Sequence, residues 1–270
     1  MSTAAREIAA AKLNLALHVR GKRSDGRHDI ETIFAFCIDG DGLSAETANE
    51  LTLTASGPFG AELPEDGENL ILRAARALQS KAGISLGASI HLDKKLPIAS
   101  GIGGGSADAA AALRLLTSLW QIDPKYASAV APTIGSDVPA CLLSLPARGT
   151  GAGDDLTAIE MAGVSGKPVL LINPRVELST AAVFAAWDGN DLGALGDWRE
   201  GRNDLEAPAK ALVPQIETVL AWLSIQPGAE FTRMSGSGAT CFAVFESEEA
   251  RDLAADNVPR EWWRLATFLR

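Results

Sequence analysis

The stretch KLPIASGIGGGSADAAAALRL, residues 95–115, places four glycines within five positions directly ahead of an alanine-rich run. The pattern predicts a strand over 88–96, a glycine-rich turn and a helix over 106–120. The first amides of a helix lack intrahelical partners and carry the positive end of its dipole. Glycines ahead of that turn let an anion approach the backbone closely. The stretch therefore predicts a phosphate-binding loop, in which Ser106 either caps the helix or donates its hydroxyl to a phosphate.

Two better-known nucleotide loops do not match this stretch. The sequence has no G-x-x-x-x-G-K-[ST] motif, and G-x-G-x-x-G counted from Gly101 ends on Ser106 instead of glycine. The H-R-D and D-F-G motifs of protein kinases are also absent from the sequence. The alternative is a turn that only tightens a strand-to-helix connection. The density of glycines favours the anion site over that alternative.

Composition restricts the classes of partner. The formal net charge of −10 makes binding to a polyanion unfavourable, so we expect no nucleic-acid partner. Three cysteines and three histidines show neither disulfide nor metal-ligand spacing. The sequence contains no apolar run of about 18 residues and no apolar core of a signal peptide. We expect a cytoplasmic protein without membrane contacts.

The rest of the chain mixes strands and helices, which predicts an α+β protein. The segment FTRMSGSGATCFAVFES, residues 231–247, predicts two strands joined by a Gly-Ser turn. The connecting stretch EMAGVSGKP is the best boundary candidate and divides the chain into domains 1–162 and 163–270. Further strands are predicted at 7–19, 29–38, 50–56, 167–174 and the C-terminus, and further helices at 68–83, 179–187, 211–224 and 247–257.

The first predicted strand has one apolar and one polar face. Leucines and a valine occupy alternate positions from Leu13 to Val19. Alternation along a strand places Lys12 and Asn14 side by side on the opposite face. A solvated strand lysine is the simplest interpretation of Lys12 taken alone.

Several stretches together resemble one kinase family. PIASGIGGGSADAAAAL (97–113) resembles the phosphate loop of the GHMP kinases, and MSGSGATCFAVF (234–245) resembles their glycine-rich third motif. AKLNLALHVRGKRSDGRHDIET (11–32) and IGSDVPACL (134–142) are similar to the N-terminal strand and the second motif of one branch of that family. GENLILRAA and RNDLE also match in place and character. The resemblance spans nearly the whole chain in order.

The resemblance implies a fold and a reaction. The fold is a two-domain GHMP kinase fold, with an N-terminal half like the second domain of ribosomal protein S5 and a ferredoxin-like C-terminal half. ATP and substrate meet in the cleft between the halves. The branch implies phosphorylation of the 2-hydroxyl of a cytidine-diphosphate-linked methylerythritol in non-mevalonate isoprenoid biosynthesis. We expect a small-molecule partner and a monomer or weak homodimer. Mg²⁺ accompanies ATP, with its protein ligands unassigned.

The resemblance also implies residue roles. Phosphoryl transfer to an alcohol needs a phosphate cradle, positive charge and an acceptor for the hydroxyl proton. Asp137 corresponds to the proton acceptor, and Lys12 to the cation that keeps it ionised. Cofactor-binding positions correspond to Pro97, Gly101, Gly103, Gly104, Gly105, Ser106, Asn69 and Lys94. Substrate-binding positions correspond to Asn14, Arg27, His28 and Phe184.

Three residues depart from the family pattern. Arg27 stands where the family usually has a tyrosine that stacks on cytosine, Ala107 replaces a serine after the three glycines, and Ile102 replaces a leucine. A guanidinium can also stack, with a different geometry.

Two alternative functions remain. One is a GHMP kinase acting on another small alcohol, which competition of CTP or CDP against the acceptor would distinguish. The other is a non-catalytic nucleotide-binding regulator, which would bind ATP without acceptor-dependent turnover.

Overall fold

The structure is a computed structural model that describes residues 5–63 and 69–270. Within these ranges the chain forms two compact units that interleave along the sequence. The first unit contains residues 39–98 and 103–144 with the start of the chain, and the second contains 12–38, 99–102 and 145–270. The domain boundary between residues 162 and 163 stays a prediction.

Two long strands contribute to both units, β1 (Ala5–Lys22) and β2 (His28–Ala48). A 3₁₀ turn lies at Gly60–Glu62 in the first unit. The other elements of the first unit are β3 (Leu51–Ser56), α1 (Leu70–Ala82), β4 (Gly87–Asp93), α2 (Gly104–Leu119), α3 (Lys125–Ile134) and α4 (Val138–Leu143).

A small sheet in the first unit places β4 between two partners. β4 pairs in parallel with β3 and antiparallel with the second half of β2, where Gly42 faces Asp93. The alanine positions after the glycine loop are buried along α2, as expected for a slim helix that packs closely. The strands and helices predicted for this region are confirmed. The sequence pattern did not predict α3 or α4.

Local chemistry fixes the ends of α1. The Asn69 side chain accepts a hydrogen bond from the Ile71 N–H at 2.9 Å, and Gly83 ends the helix in a left-handed conformation with φ +67°. The predicted start of this helix at Glu68, with Gly67 of the GENLILRAA stretch, lies outside the described residues.

The second unit is built on a four-stranded antiparallel sheet in the order β10-β7-β9-β8. In the same unit β5 pairs with the first half of β2 and with β6. Its elements are β5 (Ala147–Thr150), β6 (Asp155–Ala158), β7 (Pro168–Asn173), α5 (Thr180–Ala185), α6 (Glu206–Leu212), α7 (Gln215–Ser224), β8 (Ala229–Met234), β9 (Cys241–Phe245), α8 (Glu248–Asp256) and β10 (Trp263–Phe268).

The prediction of a single helix over 211–224 is wrong, because the structure has two helices there. Pro214 stands between α6 and α7 and occupies the N-cap position of α7. A proline cannot donate the hydrogen bond that a continuous helix needs but is tolerated at a helix start. The two strands joined by the Gly-Ser turn, β8 and β9, are confirmed.

The described helices include none that combines the length and the apolar character needed to cross a bilayer.

We expect Leu170→Ala to lower the free energy of unfolding by about 2–5 kcal/mol, since it would leave a cavity in a dense core. Leu170 lies on β7 with no exposed surface and packs among buried side chains of the second unit. Urea denaturation measures the loss. The matched control is Leu253→Ala on α8, where the leucine is 60% exposed and little should change. Equal effects of the two substitutions would contradict this description of the core.

Candidate active site

Lys12 and Asn14 lie side by side on β1, as the sequence predicted, but both are buried. The Lys12 ammonium donates to Asn14 Oδ1 at 3.0 Å, and Asn14 Nδ2 donates to Thr32 Oγ1 at 2.8 Å. Thr32 in turn donates to the Ala16 carbonyl at 2.7 Å. The Lys12 ammonium also lies 4.7 Å from the centre of the Phe34 ring. A solvated lysine is therefore ruled out, because this ammonium is held in a fixed position.

Three sequence motifs meet in the second unit. The Lys12 N–H donates to the Ile102 carbonyl at 3.0 Å. The Asn14 N–H donates to Ser235 Oγ at 3.1 Å, and this hydroxyl donates to the Gly101 carbonyl at 3.0 Å. The backbone of β1, the first half of the glycine loop and the Gly-Ser turn between β8 and β9 thus form one hydrogen-bonded network.

Glycine is required where the loop meets the turn. Gly101 has φ +77°, and a Cβ there would lie 2.5 Å from the Gly238 carbonyl oxygen and 2.6 Å from that of Ser235. Gly236 has φ +57°, and a Cβ there would lie 3.0 Å from the Gly101 oxygen. Only residues without a side chain allow this backbone approach and these dihedral angles.

Asn203, in the RNDLE stretch, holds the Gly-Ser turn in shape. Its side-chain amide donates to the carbonyls of Met234 at 2.8 Å and Gly236 at 2.7 Å. Its Oδ1 accepts from the Leu205 N–H at 3.0 Å. Asn203 is 7% exposed, so these bonds are shielded from water. The sequence identifies RNDLE only as a stretch that matches the family pattern, and it predicts no role for this asparagine.

The second half of the glycine loop starts α2 in the first unit. Gly103 occupies the N-cap with φ +67°, and its carbonyl accepts from the Ala107 N–H at 2.7 Å. Gly104, Gly105 and Ser106 form the first turn, so Ser106 is not the cap that the sequence suggested as one possibility. Glycine at the cap leaves no side chain over the first amides of this 16-residue helix. The other prediction, a hydroxyl donated to phosphate, stays open.

Two predicted nucleotide-binding side chains have structural partners. Asn69 caps α1, and Lys94 is 1% exposed with its ammonium 2.6 Å from carboxylate oxygens of both Asp41 and Asp108. Pro97, which follows Lys94 closely in the sequence, is also buried. The Lys94 ammonium is engaged by these carboxylates, so a part for Lys94 in nucleotide binding would use its backbone or the position that it imposes on its neighbours.

Asp137 stands at the N-terminal boundary of α4 in the first unit. It has φ −85° and ψ −14°, and its carboxylate makes no capping bond to that helix. Helix capping is the commonest use of an aspartate in this position, and the structure shows that it does not apply here. Asp137 is half-buried.

Three aromatic rings form a cluster in the second unit. The His28 imidazole stacks on Phe184 with ring centres 4.7 Å apart and an angle of 24° between planes, and it meets Trp187 edge-on at 5.7 Å. Burial, together with the charge of Lys22, lowers the pKa of His28. A neutral imidazole at physiological pH presents one donor and one acceptor. This cluster joins two predicted substrate residues and adds Trp187, which the sequence did not reveal.

Arg27 precedes His28 in the sequence, but its guanidinium contacts carboxylates outside the aromatic cluster. Its guanidinium bonds Asp25 through Nε at 3.0 Å and Nη2 at 2.9 Å, and lies 3.4 Å from Asp154. A guanidinium held at its edge by a carboxylate keeps both faces of its plane available for stacking. Arg27 is exposed, so these ion pairs contribute orientation more than stability.

A cavity of about 540 Å³ opens next to Trp187 in the second unit. Its lining includes Arg202, Lys210 and Arg233. Arg202 is paired with Asp204, Lys210 with two glutamates, and the Arg233 guanidinium donates to backbone carbonyls. The cations of this cavity already have partners, which makes it a poor phosphate site.

No group of three histidine, cysteine, aspartate or glutamate side chains suited to a metal ion occurs within residues 5–63 and 69–270. Mg²⁺ in phosphoryl-transfer enzymes commonly uses one or two carboxylates together with water and the nucleotide phosphates.

Comparison with known proteins defines the class. The family model for the GHMP kinases N terminal domain matches residues 69–144, and the GHMP kinases C terminal model matches 181–265. A 4-diphosphocytidyl-2-C-methyl-D-erythritol kinase of Rhizorhabdus wittichii is 53% identical, with 98% of this chain and 94% of the relative covered. The protein of that name from Novosphingobium aromaticivorans is 47% identical, with coverages of 98% and 93%. The chain therefore belongs to the GHMP kinase family.

Solved structures agree with that assignment. A crystal structure of 4-(cytidine 5'-diphospho)-2C-methyl-D-erythritol kinase superposes with a TM-score of 0.83 at 31% identity, covering 98% of each chain. Homoserine kinase from Cytophaga hutchinsonii superposes with a TM-score of 0.71 at 18% identity over 100% and 96% of the two chains, which shows the shared fold alone. The expected α+β, two-domain GHMP kinase fold is confirmed, and the protein is a kinase.

We expect Gly101→Ala to disrupt the junction between loop and turn, because its methyl group would collide with two carbonyl oxygens. The expected result is a lower melting temperature and a loss of ATP affinity of about tenfold or more. Gly163→Ala is the matched control: Gly163 has φ +73° but nothing within 4 Å of the added Cβ, so it isolates dihedral strain. Thermal melts and nucleotide titration measure both effects. Equal behaviour of the two variants would show that the collision is unimportant.

Proposed function

We propose that the chain transfers the γ-phosphoryl group of ATP to the 2-hydroxyl of 4-diphosphocytidyl-2-C-methyl-D-erythritol, in non-mevalonate isoprenoid precursor biosynthesis. The names of its relatives at 53% and 47% identity support this acceptor. The observation that carries the proposal is the network joining Lys12 and Asn14 on β1 to Gly101 and Ser235. It gathers a buried cation and a glycine-rich backbone, the parts that phosphoryl transfer requires.

The glycine loop supplies the phosphate cradle in this proposal. Residues 103–106 leave the first amides of α2 without intrahelical partners, and no cap side chain covers them. The dipole of a 16-residue helix favours negative charge at that end. Ser106 donates its hydroxyl to a phosphate oxygen at this site. Mg²⁺ bound together with ATP would supply positive charge to offset the phosphate charge there.

Asp137 accepts the proton of the acceptor hydroxyl, and Lys12 offsets negative charge as the alkoxide develops. A fixed ammonium costs no reorganisation when charge develops, and it is more effective in a dry site than in water. The bonds from Lys12 to Asn14 and from Asn14 to Thr32 supply that fixation. Asn14 thereby acts as a positioning residue for Lys12.

The aromatic cluster of His28, Phe184 and Trp187 takes the cytosine base. Every nucleobase has a π-face that stacks on aromatic rings, and the donor and acceptor of a neutral imidazole can read a base edge. Arg27 contributes a stacking plane fixed by Asp25 in place of an aromatic ring. We propose a cytoplasmic enzyme that acts as a monomer or weak homodimer, with no nucleic-acid or membrane partner.

The direct test is ADP release with Mg-ATP and a panel of acceptors: 4-diphosphocytidyl-2-C-methyl-D-erythritol, homoserine and mevalonate. Turnover with the cytidine compound alone is the expected result. Turnover with another alcohol would retain the kinase and replace the acceptor. ATP binding without turnover of any acceptor would instead favour a nucleotide-binding regulator.

Asp137→Asn should lower kcat about 100-fold or more, because an amide cannot accept the hydroxyl proton. Circular dichroism and a thermal melt would verify that the fold is retained. Asp123→Asn is a matched control on an exposed aspartate that precedes α3 in the same unit, and its kcat should stay near that of the wild type. An Asp137→Asn enzyme with most of its activity would remove this residue from the role of base.

Phe184→Ala and Trp187→Ala should each raise KM for the cytidine substrate by about tenfold and leave KM for ATP unchanged, since base stacking on one ring contributes about 1–3 kcal/mol. Trp222→Ala provides the control, because Trp222 packs against Trp262 outside the cluster in the same unit. Steady-state kinetics in both substrates measures the separation. If both KM values rise together, the rings stabilise the unit and do not read the base.

A further inference from the structure

A buried cluster of three charged side chains lies next to the glycine loop in the first unit. The Lys94 ammonium is 2.6 Å from Asp41 Oδ2 and 2.6 Å from Asp108 Oδ2. Asp41 has no exposed surface, and Lys94 and Asp108 are 1% and 3% exposed. A cluster this dry is costly to form, so a buried salt bridge is weak evidence for a stabilising role alone.

The cluster joins three segments of chain around the loop. Asp41 lies on β2, Lys94 directly follows β4, and Asp108 lies in the second turn of α2. The second carboxylate oxygen of Asp41 accepts the N–H groups of Lys95 at 2.6 Å and Leu96 at 2.8 Å. The backbone that leads into the glycine loop is therefore tied to the same ammonium as the helix that leaves it.

Lys94 also controls the space at the first residue of α2. A Cβ at Gly104 would lie 3.1 Å from the Lys94 ammonium and 3.9 Å from the Pro97 carbonyl oxygen. The ammonium thus lies close to the backbone of the first helical turn, on the side to which a Gly104 Cβ would point.

We propose that Lys94, Asp41 and Asp108 act together as positioning residues for ATP, holding the first turn of α2 in the geometry that receives the phosphates. This inference rests on the proposed function, because it takes residues 103–106 as the phosphate site. It gives Lys94, which the sequence places at a cofactor-binding position, an indirect part in nucleotide binding. Displacing positioned groups in an enzyme by about 1 Å can lower its rate by up to about 100-fold.

The charge of the cluster depends on Asp108. With both carboxylates ionised the cluster carries one net negative charge, and Asp108 Oδ1 has no hydrogen-bond partner among the described residues. Burial, opposed by Lys94, raises the pKa of Asp108 to about 8. Burial lowers the pKa of Lys94, but the two carboxylates outweigh burial and raise it. Lys94 and Asp41 are the charged groups that face Asp108, so a protonated Asp108 leaves the cluster neutral at pH 7.

The sign of the pH dependence follows from this proton. The pKa of Asp108 rises on folding from 3.8 to about 8, so between these values the folded protein holds a proton that the unfolded chain has lost. The free energy of unfolding therefore falls as pH rises through that window. Above about pH 8 the ionised carboxylate adds negative charge beneath the phosphate loop and opposes ATP.

The experiment measures binding of the non-hydrolysable analogue AMP-PNP with Mg²⁺ by calorimetry, with a thermal melt of each variant. The variants are Lys94→Met, Asp108→Asn and Arg251→Met, on the full chain from pH 6.5 to 9. Arg251 is the matched control: it is 4% exposed in the second unit, paired with Glu248 and Asp252, and bonded to the Thr267 carbonyl. Its loss should lower the melting temperature without changing AMP-PNP affinity.

We expect Lys94→Met to weaken AMP-PNP binding about tenfold or more beyond the control. We also expect wild-type affinity to fall above about pH 8, and Asp108→Asn to abolish that fall, because an amide cannot ionise. Unchanged affinity in Lys94→Met, or the same fall with pH in Asp108→Asn as in the wild type, would overturn the proposal. If Lys94→Met does not fold, the proposal is tested by comparing the pH dependence of AMP-PNP affinity in Asp108→Asn with that of the wild type.

Failure of the proposed function gives a different pattern. Binding of AMP-PNP requires no acceptor, so normal binding without turnover of the cytidine compound would overturn only the proposed substrate. A wild-type protein that does not bind AMP-PNP would overturn both proposals, because the loop would then not be a phosphate site.

Discussion

The close approach of two glycine-containing turns is the constraint on which the second unit's site depends. Gly101 brings its backbone so near to Ser235 and Gly238 that a Cβ would lie within 2.6 Å of two carbonyl oxygens. The Ser235 hydroxyl uses that proximity to join Gly101 to Asn14, and through Asn14 to the Lys12 ammonium. A side chain at Gly101 would disrupt the hydrogen-bonded network that joins Lys12 and Asn14 to the glycine loop.

Buried polar groups are arranged here as complete chains, which explains how the site can be dry without being unstable. Lys12, Asn14 and Thr32 each pass a hydrogen bond to the next group and end on a backbone carbonyl. Asn203 satisfies two carbonyls of the Gly-Ser turn in the same way. Satisfied networks of this kind rigidify a site, whereas one missing member leaves a buried group unpaired.

Much of this arrangement could be predicted from the sequence, because it resides in local patterns. Alternation along residues 7–19 placed Lys12 and Asn14 on one face of β1, and the glycines marked the loop before α2. The partners that arrive from distant segments had no local signal. Thr32 and Asn203 are ordinary polar residues in sequence, and Trp187 resembles any aromatic residue after a helix. The enclosure of the Lys94 ammonium by two distant carboxylates likewise had no local signal.

Phosphorus NMR of a reaction with Mg-ATP and 4-diphosphocytidyl-2-C-methyl-D-erythritol tests the central claim most directly, because it separates transfer from hydrolysis. The account predicts a new phosphomonoester resonance on the cytidine compound that grows in equal amount with ADP. An increase of inorganic phosphate alone would contradict it, since the phosphoryl group would then pass to water. Consumption of ATP while the cytidine compound remained unchanged would also contradict the account.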